Sequence, residues 1–195
     1  MKVLKIIGII VAILLVVIVV FILSLKGKGH LERSITIHAP SEKVFAVVDD
    51  LASAKSWSPW FQIDENTNYE FSDNTSGVGA YYTWDSENPQ VMSGRQEIIE
   101  VIPNELVNTS MSFGGMTGTY HASFILHAKD NNTTDLTWTY DGEADAIMEK
   151  FFIDYMTESM LGPSYEKGLE NLKTYIEGLP DPEPEILEAD TTAME

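Results

Sequence analysis

Between Asn68 and Gly142 the sequence keeps one rhythm: a short run rich in β-branched and aromatic residues, a turn, then another run. Asn68–Ser72, Ala80–Asp85, Val91–Ile102, Leu106–Phe113, Thr117–Ala128 and Thr134–Tyr140 read as strands. The connections are DNTSGVG at Asp73–Gly79, ENPQ at Glu87–Gln90, Pro103-Asn104, Gly114-Gly115 and KDNNT at Lys129–Thr133, all turn-forming. Connections this short leave no room for crossover helices, so the six strands must form an antiparallel meander. A long helical pattern follows over Asp145–Glu177, apolar at Ile147, Phe151, Tyr155, Leu161, Tyr165, Leu169, Leu172 and Ile176. A sheet with one apolar face and a helix with one apolar stripe can cover each other. The expected class is therefore α+β, a curved antiparallel sheet wrapped around a long C-terminal helix. Gly162-Pro163 is expected to interrupt that helix with a kink, because proline has no N–H and its ring crowds the preceding turn. Gly178 is expected to stop it.

Upstream, Ser34–His38 alternates and is β-branched, so it reads as one more strand, expected at the sheet edge. Pro40 suits a helix start, and Val44, Phe45, Val47 and Val48 supply an apolar stripe. Asp49-Asp50 ends this helix or opens a second short one through Leu51–Lys55. Trp57, Trp60 and Phe61 flank Pro59 and read as a packed loop.

Ile6–Leu25 is an apolar run with no charge, flanked by Lys2, Lys5, Lys26 and Lys28. At about 1.5 Å per residue it covers roughly 30 Å, the hydrocarbon thickness of a bilayer. A cleaved signal peptide would have a shorter apolar core and a small-residue cleavage site. A core helix would not be apolar on every face. The run is read as a single transmembrane helix. The division is a flank at 1–5, the span at 6–25, a linker at 26–30, one domain at 31–178, and an acidic disordered tail at 179–195. The expected location is single-pass in a bacterial cytoplasmic membrane. The flanking lysines balance, so the side of the soluble domain stays open.

Every acidic residue lies after the span. From Glu32 onward eight basic residues face thirty acidic ones, a formal charge of −22. Such a surface repels phosphate backbones and argues against nucleic-acid binding. The chain has no cysteine, which excludes disulfides and thiolate chemistry. The four histidines show no ligand spacing with carboxylates, so neither a metal nor a cofactor is expected.

Several stretches resemble the SRPBCC superfamily, the START/Bet v 1-like helix-grip proteins, in the polyketide cyclase/dehydrase-type branch. They are ERSITIHAPSEKVFAVVDDL from Glu32, SWSPW at Ser56–Trp60, GVGAYYTW at Gly77–Trp84, SGRQEIIEVIPNELV at Ser93–Val107 and LGPSYEKGLENLK at Leu161–Lys173. The resemblance covers about Leu31–Gly178 and implies a cavity between sheet and helix. It implies no particular reaction, because one fold hosts many functions.

Strand alternation and helix spacing put Tyr82, Trp84, Gln96, Met111, Phe113, Phe124 and Trp138, with Phe151 and Tyr155 from the helix, on inward faces. These nine are the candidate ligand-cavity residues. Periodicity alone does not separate a filled core from a cavity wall; the resemblance favours the wall. The leading expectation is a membrane-anchored binding module for a hydrophobic small molecule or lipid. One alternative is a polyketide cyclase or dehydratase, for which Tyr82, Gln96 and Glu100 are the only polar candidates, though no catalytic constellation is visible. Another is a protein-interaction domain related to Hsp90 co-chaperones. His121 alternates against Ala122, Phe124 and Leu126 and is expected on the solvent side.

Overall fold

The structure, a computed structural model, describes residues 2–180. Beyond Leu179 and Pro180, the expected acidic tail lies outside the described residues. Helix α1 (Lys2–Ser24) has no buried residue. Among the described residues it is the one helix long and apolar enough to cross a membrane.

Next come β1 (Lys28–Ile37), α2 (Ser41–Asp49), a 3-10 turn at Leu51–Ser53, α3 (Ala54–Trp57) and a 3-10 turn at Pro59–Gln62. β2 (Asn68–Phe71), β3 (Tyr81–Asp85), β4 (Ser93–Ile102), β5 (Leu106–Phe113), β6 (Thr119–Asp130), β7 (Thr133–Glu143) and α4 (Ile147–Gly178) complete the chain. All strands join one antiparallel sheet in the order β1-β7-β6-β5-β4-β3-β2. β1 is an edge strand, as its sequence implied. It begins earlier than expected, because Lys28, Gly29 and His30 pair with Glu143, Gly142 and Asp141. The Lys28–Glu143 ion pair and the His30–Asp141 hydrogen bond, both 2.8 Å, fasten this end. Most of the segment expected to be a linker is thus strand.

α4 lies over the sheet. Leu169, Leu172 and Ile176 are buried there, and Gly168 permits the close approach. A Cβ at Gly168 would stand 2.8 Å from Cζ3 of Trp138 and 3.3 Å from Cδ of Pro59. On the β1 side, Arg33 donates to Glu166 at 2.8 Å and to Glu158, and Lys173 donates to the Thr36 carbonyl at 2.7 Å.

The interruption expected at Gly162-Pro163 is absent: α4 runs unbroken through Pro163. The lost bond is to the carbonyl of Ser159. Ser159 and Pro163 are both exposed, so that carbonyl is open to water, while Gly162 and Tyr165 beside them are buried.

The register fixes which ends lie together. Lys28 and Thr119 both align with Glu143, Gly94 with Phe113, and Asp85 with Ser93 and Asn68. The Ser86–Met92 and Gly114–Gly118 loops therefore cap the same end of the sheet at which the chain leaves α1.

Candidate functional site

A cavity of about 230 Å³ lies between the inner face of the sheet, the α2–α3 segment and α4. Seven of the nine expected residues line it: Tyr82 and Trp84 from β3, Gln96 from β4, Met111 and Phe113 from β5, Phe124 from β6 and Trp138 from β7. Strand alternation put them on one face, and the twist of the sheet makes that face concave. Trp138 is the hub. It stacks on Tyr165 at 4.1 Å and Phe124 at 4.9 Å, and meets Trp57 and Trp60 edge-on at 5.5 and 5.6 Å. All four tryptophans of the chain, Trp57, Trp60, Trp84 and Trp138, belong to the lining.

Phe151 and Tyr155 do not line the cavity. They are 37% and 55% exposed, and their rings pack on Phe21 of α1, at 6.4 and 5.9 Å between centroids. In this stretch α4 turns Glu149 and Ile153 inward, toward Thr117–Tyr120 and Gly29, which leaves Phe151 and Tyr155 on its outer side; the helix reaches the cavity through Leu161 and Tyr165.

Three polar side chains of the lining are linked in a chain. The Tyr82 hydroxyl donates to Gln96 Oε1 at 2.7 Å, Gln96 Nε2 to Thr109 Oγ1 at 3.0 Å, and Thr109 Oγ1 to the Ala122 carbonyl at 2.9 Å. Tyr82 and Gln96 are directly opposed in the β3–β4 register, and β5 brings Thr109 alongside. Burial pushes the Tyr82 phenol well above its ordinary value, so it stays protonated. Burial likewise pushes Tyr140, also in the lining, up to about 12. Each donor atom in the chain makes one hydrogen bond, which leaves the second Gln96 amide hydrogen and the Tyr82 lone pairs to meet a ligand.

Glu100 is not part of this set. A bulge between Ile98 and Glu100 shifts the register, so Ile98 opposes inward Thr109 while Glu100 opposes Asn108. Glu100 is exposed and lies on the outer side with Glu97, which pairs with Arg95 at 2.7 Å. The one carboxylate in the lining is Asp50, and its Oδ1 accepts from the Ala52 amide and the Thr75 hydroxyl. The sequence reading missed Asp50, Thr109 and the Gln90–Met92 rim. Gln90 is the exposed member of the lining, so the cavity meets its surroundings beside the Ser86–Met92 loop. Met92 there has φ +60°, a left-handed conformation costly for a side chain of this kind.

His121 does lie on the outer face, half-buried, with an unpartnered Nδ1. It borders an open surface depression of about 390 Å³ shared with Lys28, His30, Asp141 and Glu143. That depression is larger but is rimmed by charge and open to water, so the smaller aromatic cavity is the better candidate site. Among the described residues no cluster of three His, Asp or Glu side chains is placed to hold a metal ion.

The family model described as polyketide cyclase / dehydrase and lipid transport matches residues 28–177. The chain belongs to this family. The polyketide cyclase / dehydrase and lipid transport match begins at the first residue of β1 and ends one residue before the end of α4. It therefore takes in the whole sheet, every residue of the cavity, and none of α1. No curated protein is similar enough in sequence to match. Among solved structures, truncated norcoclaurine synthase from Thalictrum flavum superposes with a TM-score of 0.61 at 12% identity, covering 78% of this chain and 96% of that one. Protein CV1439 from Chromobacterium violaceum gives 0.56 at 17% identity, with coverages of 78% and 99%. The Aha1 dimer from Colwellia psychrerythraea gives 0.54 at 18%, with 76% and 96%. At these identities the likeness concerns the fold alone.

Proposed function

We propose that the chain is a membrane-anchored binding module for a hydrophobic small molecule or lipid, held in the cavity between the sheet and α4. The observation that carries this reading is the cavity itself: an aromatic-walled void into which a hydrogen-bonded chain, Tyr82–Gln96–Thr109, reaches. Ligand sites have this composition, mostly apolar with a few placed polar groups that fix orientation. The volume of about 230 Å³ sits below the usual range of roughly 300–1,000 Å³. The ligand is accordingly compact, or is a longer chain that projects past Gln90. The free Gln96 amide hydrogen suits a carbonyl or carboxyl oxygen, and a Tyr82 lone pair suits a hydroxyl.

Binding is favoured over catalysis because, among the described residues, the lining does not pair an acid with a base: burial keeps Tyr82 protonated, Asp50 Oδ1 accepts from the Ala52 amide and the Thr75 hydroxyl, and Glu100 is on the outer face. α1, apolar and without a buried residue, would be the anchor. Native mass spectrometry of the full chain after mild detergent extraction tests the reading. A small apolar molecule should leave with the protein and be lost in Gln96→Leu or Ala122→Phe. A bare chain that also takes up no added fatty acid or polycyclic aromatic would refute it.

A further inference from the structure

The first half of α4 presents Ile147, Met148, Phe151, Phe152 and Tyr155 to the outside, each between 37% and 67% exposed. At about 100° per residue these positions fill one continuous arc of roughly 140°. The two carboxylates of the same stretch are both engaged by hydrogen bonds. Glu149 is buried and accepts from the Thr117 amide and hydroxyl, the Gly118 amide and the Tyr120 hydroxyl, at 2.8–3.2 Å. Asp154 accepts from the backbone amides of Lys26 and Gly27, at 2.7 and 2.9 Å. A domain of strongly negative charge thus shows a face without a free carboxylate.

The place of this face is set by α1. Phe21, inside the apolar helix, stacks on Tyr155 and meets Phe151 edge-on. The clamp of Asp154 on Lys26 and Gly27 holds the helices together. So does the left-handed turn at Gly27, where a side chain would strike the Ala144 carbonyl and Lys150. If α1 spans the bilayer, residues packed on Phe21 lie at acyl-chain depth, below the level of Lys26. An exposed apolar helix face continuous with a transmembrane helix has one chemically matched partner at that depth, which is lipid.

We propose that Ile147, Met148, Phe151, Phe152 and Tyr155 form a second membrane contact, lying in the bilayer interface beside α1 and fixing the orientation of the domain. This rests on reading α1 as the anchor. The orientation matters for the cavity. Glu149 holds Tyr120, and Tyr120 packs edge-on at 5.3 Å against Phe113 in the cavity wall. The rim at Gln90–Met92 lies at this same end of the sheet, so the contact turns the cavity mouth toward lipid.

The chain has no native cysteine, so single spin labels report without background. Val16→Cys, Met148→Cys, Phe152→Cys and an exposed control on the far half of α4, Thr174→Cys, would be labelled in the full chain in phosphatidylcholine nanodiscs. Collisional access to oxygen and to a water-soluble nickel chelate then gives depth. The proposal expects labels at 148 and 152 to favour oxygen several-fold over the label at 174, approaching the one at 16. Oxygen-favoured access at 16 with water-like access at 148 and 152 would overturn the proposal and leave the anchor standing. Water-like access at 16 as well would overturn both. Shielding of 148 and 152 from both reagents, with spin–spin coupling between chains, would show that a second copy covers the face, and would also overturn it.

Discussion

The two halves of α4 carry similar apolar spacing and meet opposite fates. From Leu161 to Ile176 the stripe is buried on the sheet, with Leu172 and Ile176 fully enclosed and Tyr165 stacked on Trp138. From Ile147 to Met160 the large apolar side chains are mostly exposed, and the inward positions are taken by Ile153 and the carboxylate of Glu149. What differs is which side meets the sheet: in the second half the apolar stripe does, whereas in the first Glu149 and Ile153 face Thr117–Tyr120 and Gly29, and the stripe is left beside α1. A helical stripe records that something apolar will cover it, not what.

The largest effect expected from this contrast is on stability. Leu172→Ala removes a fully buried side chain and should cost about 2–5 kcal/mol in chemical unfolding followed in detergent. Phe152→Ala should cost less than about 0.5 kcal/mol in the same assay, because the ring is already outside. Equal costs would break the distinction between the halves. Gly168→Ala sharpens it. Helix propensity alone would gain up to about 1 kcal/mol, but the new Cβ lies 2.8 Å from the Trp138 ring. The expected net is a loss of about 1–3 kcal/mol with weaker ligand uptake, and a gain in stability would mean that α4 rides higher than described.

Glu149 is the exception in the first half, because its carboxylate faces inward. Burial pushes it up, yet the hydrogen bonds from Thr117, Tyr120 and Gly118 outweigh burial and hold it below the ordinary value of 4.5. A carboxyl depressed on folding contributes stability that is present above its unfolded pKa and is lost as pH falls through its folded pKa. Glu149→Gln should therefore cost about 1–3 kcal/mol at neutral pH. Its deficit relative to wild type should shrink as pH drops below 4.5, as read by unfolding midpoints across pH. A constant deficit would locate the loss in packing instead of charge.

The architecture was legible because it rests on local pattern: turn residues between β-rich runs, an edge strand, and a helical period at the end. The inward sets Tyr82/Trp84 and Met111/Phe113 followed from alternation alone. The polar chain required cross-strand register, which brings Gln96 opposite Tyr82 and Thr109 beside it. Glu100 turned outward because of a bulge at Ile99, where neither glycine nor proline marks the break. Pro163 failed to interrupt α4 because its freed carbonyl faces water while its neighbours are packed. Phe151 and Tyr155 continue the apolar spacing that leads to Tyr165, and the sequence does not show that Glu149 and Ile153 take the inward positions in their stretch.

The central claim is that the space among Trp57, Trp60, Trp84 and Trp138 takes up an apolar molecule. Energy transfer from these tryptophans to a dansyl-labelled fatty acid reads this directly, since all four lie in the lining. The account predicts saturable, one-to-one transfer in the full chain. In Ala122→Phe, whose added ring fills the cavity without changing the tryptophan count, that transfer should fall by at least tenfold in affinity while near-ultraviolet circular dichroism stays native. Transfer that rises without saturating, or is equal in the two proteins, would contradict it.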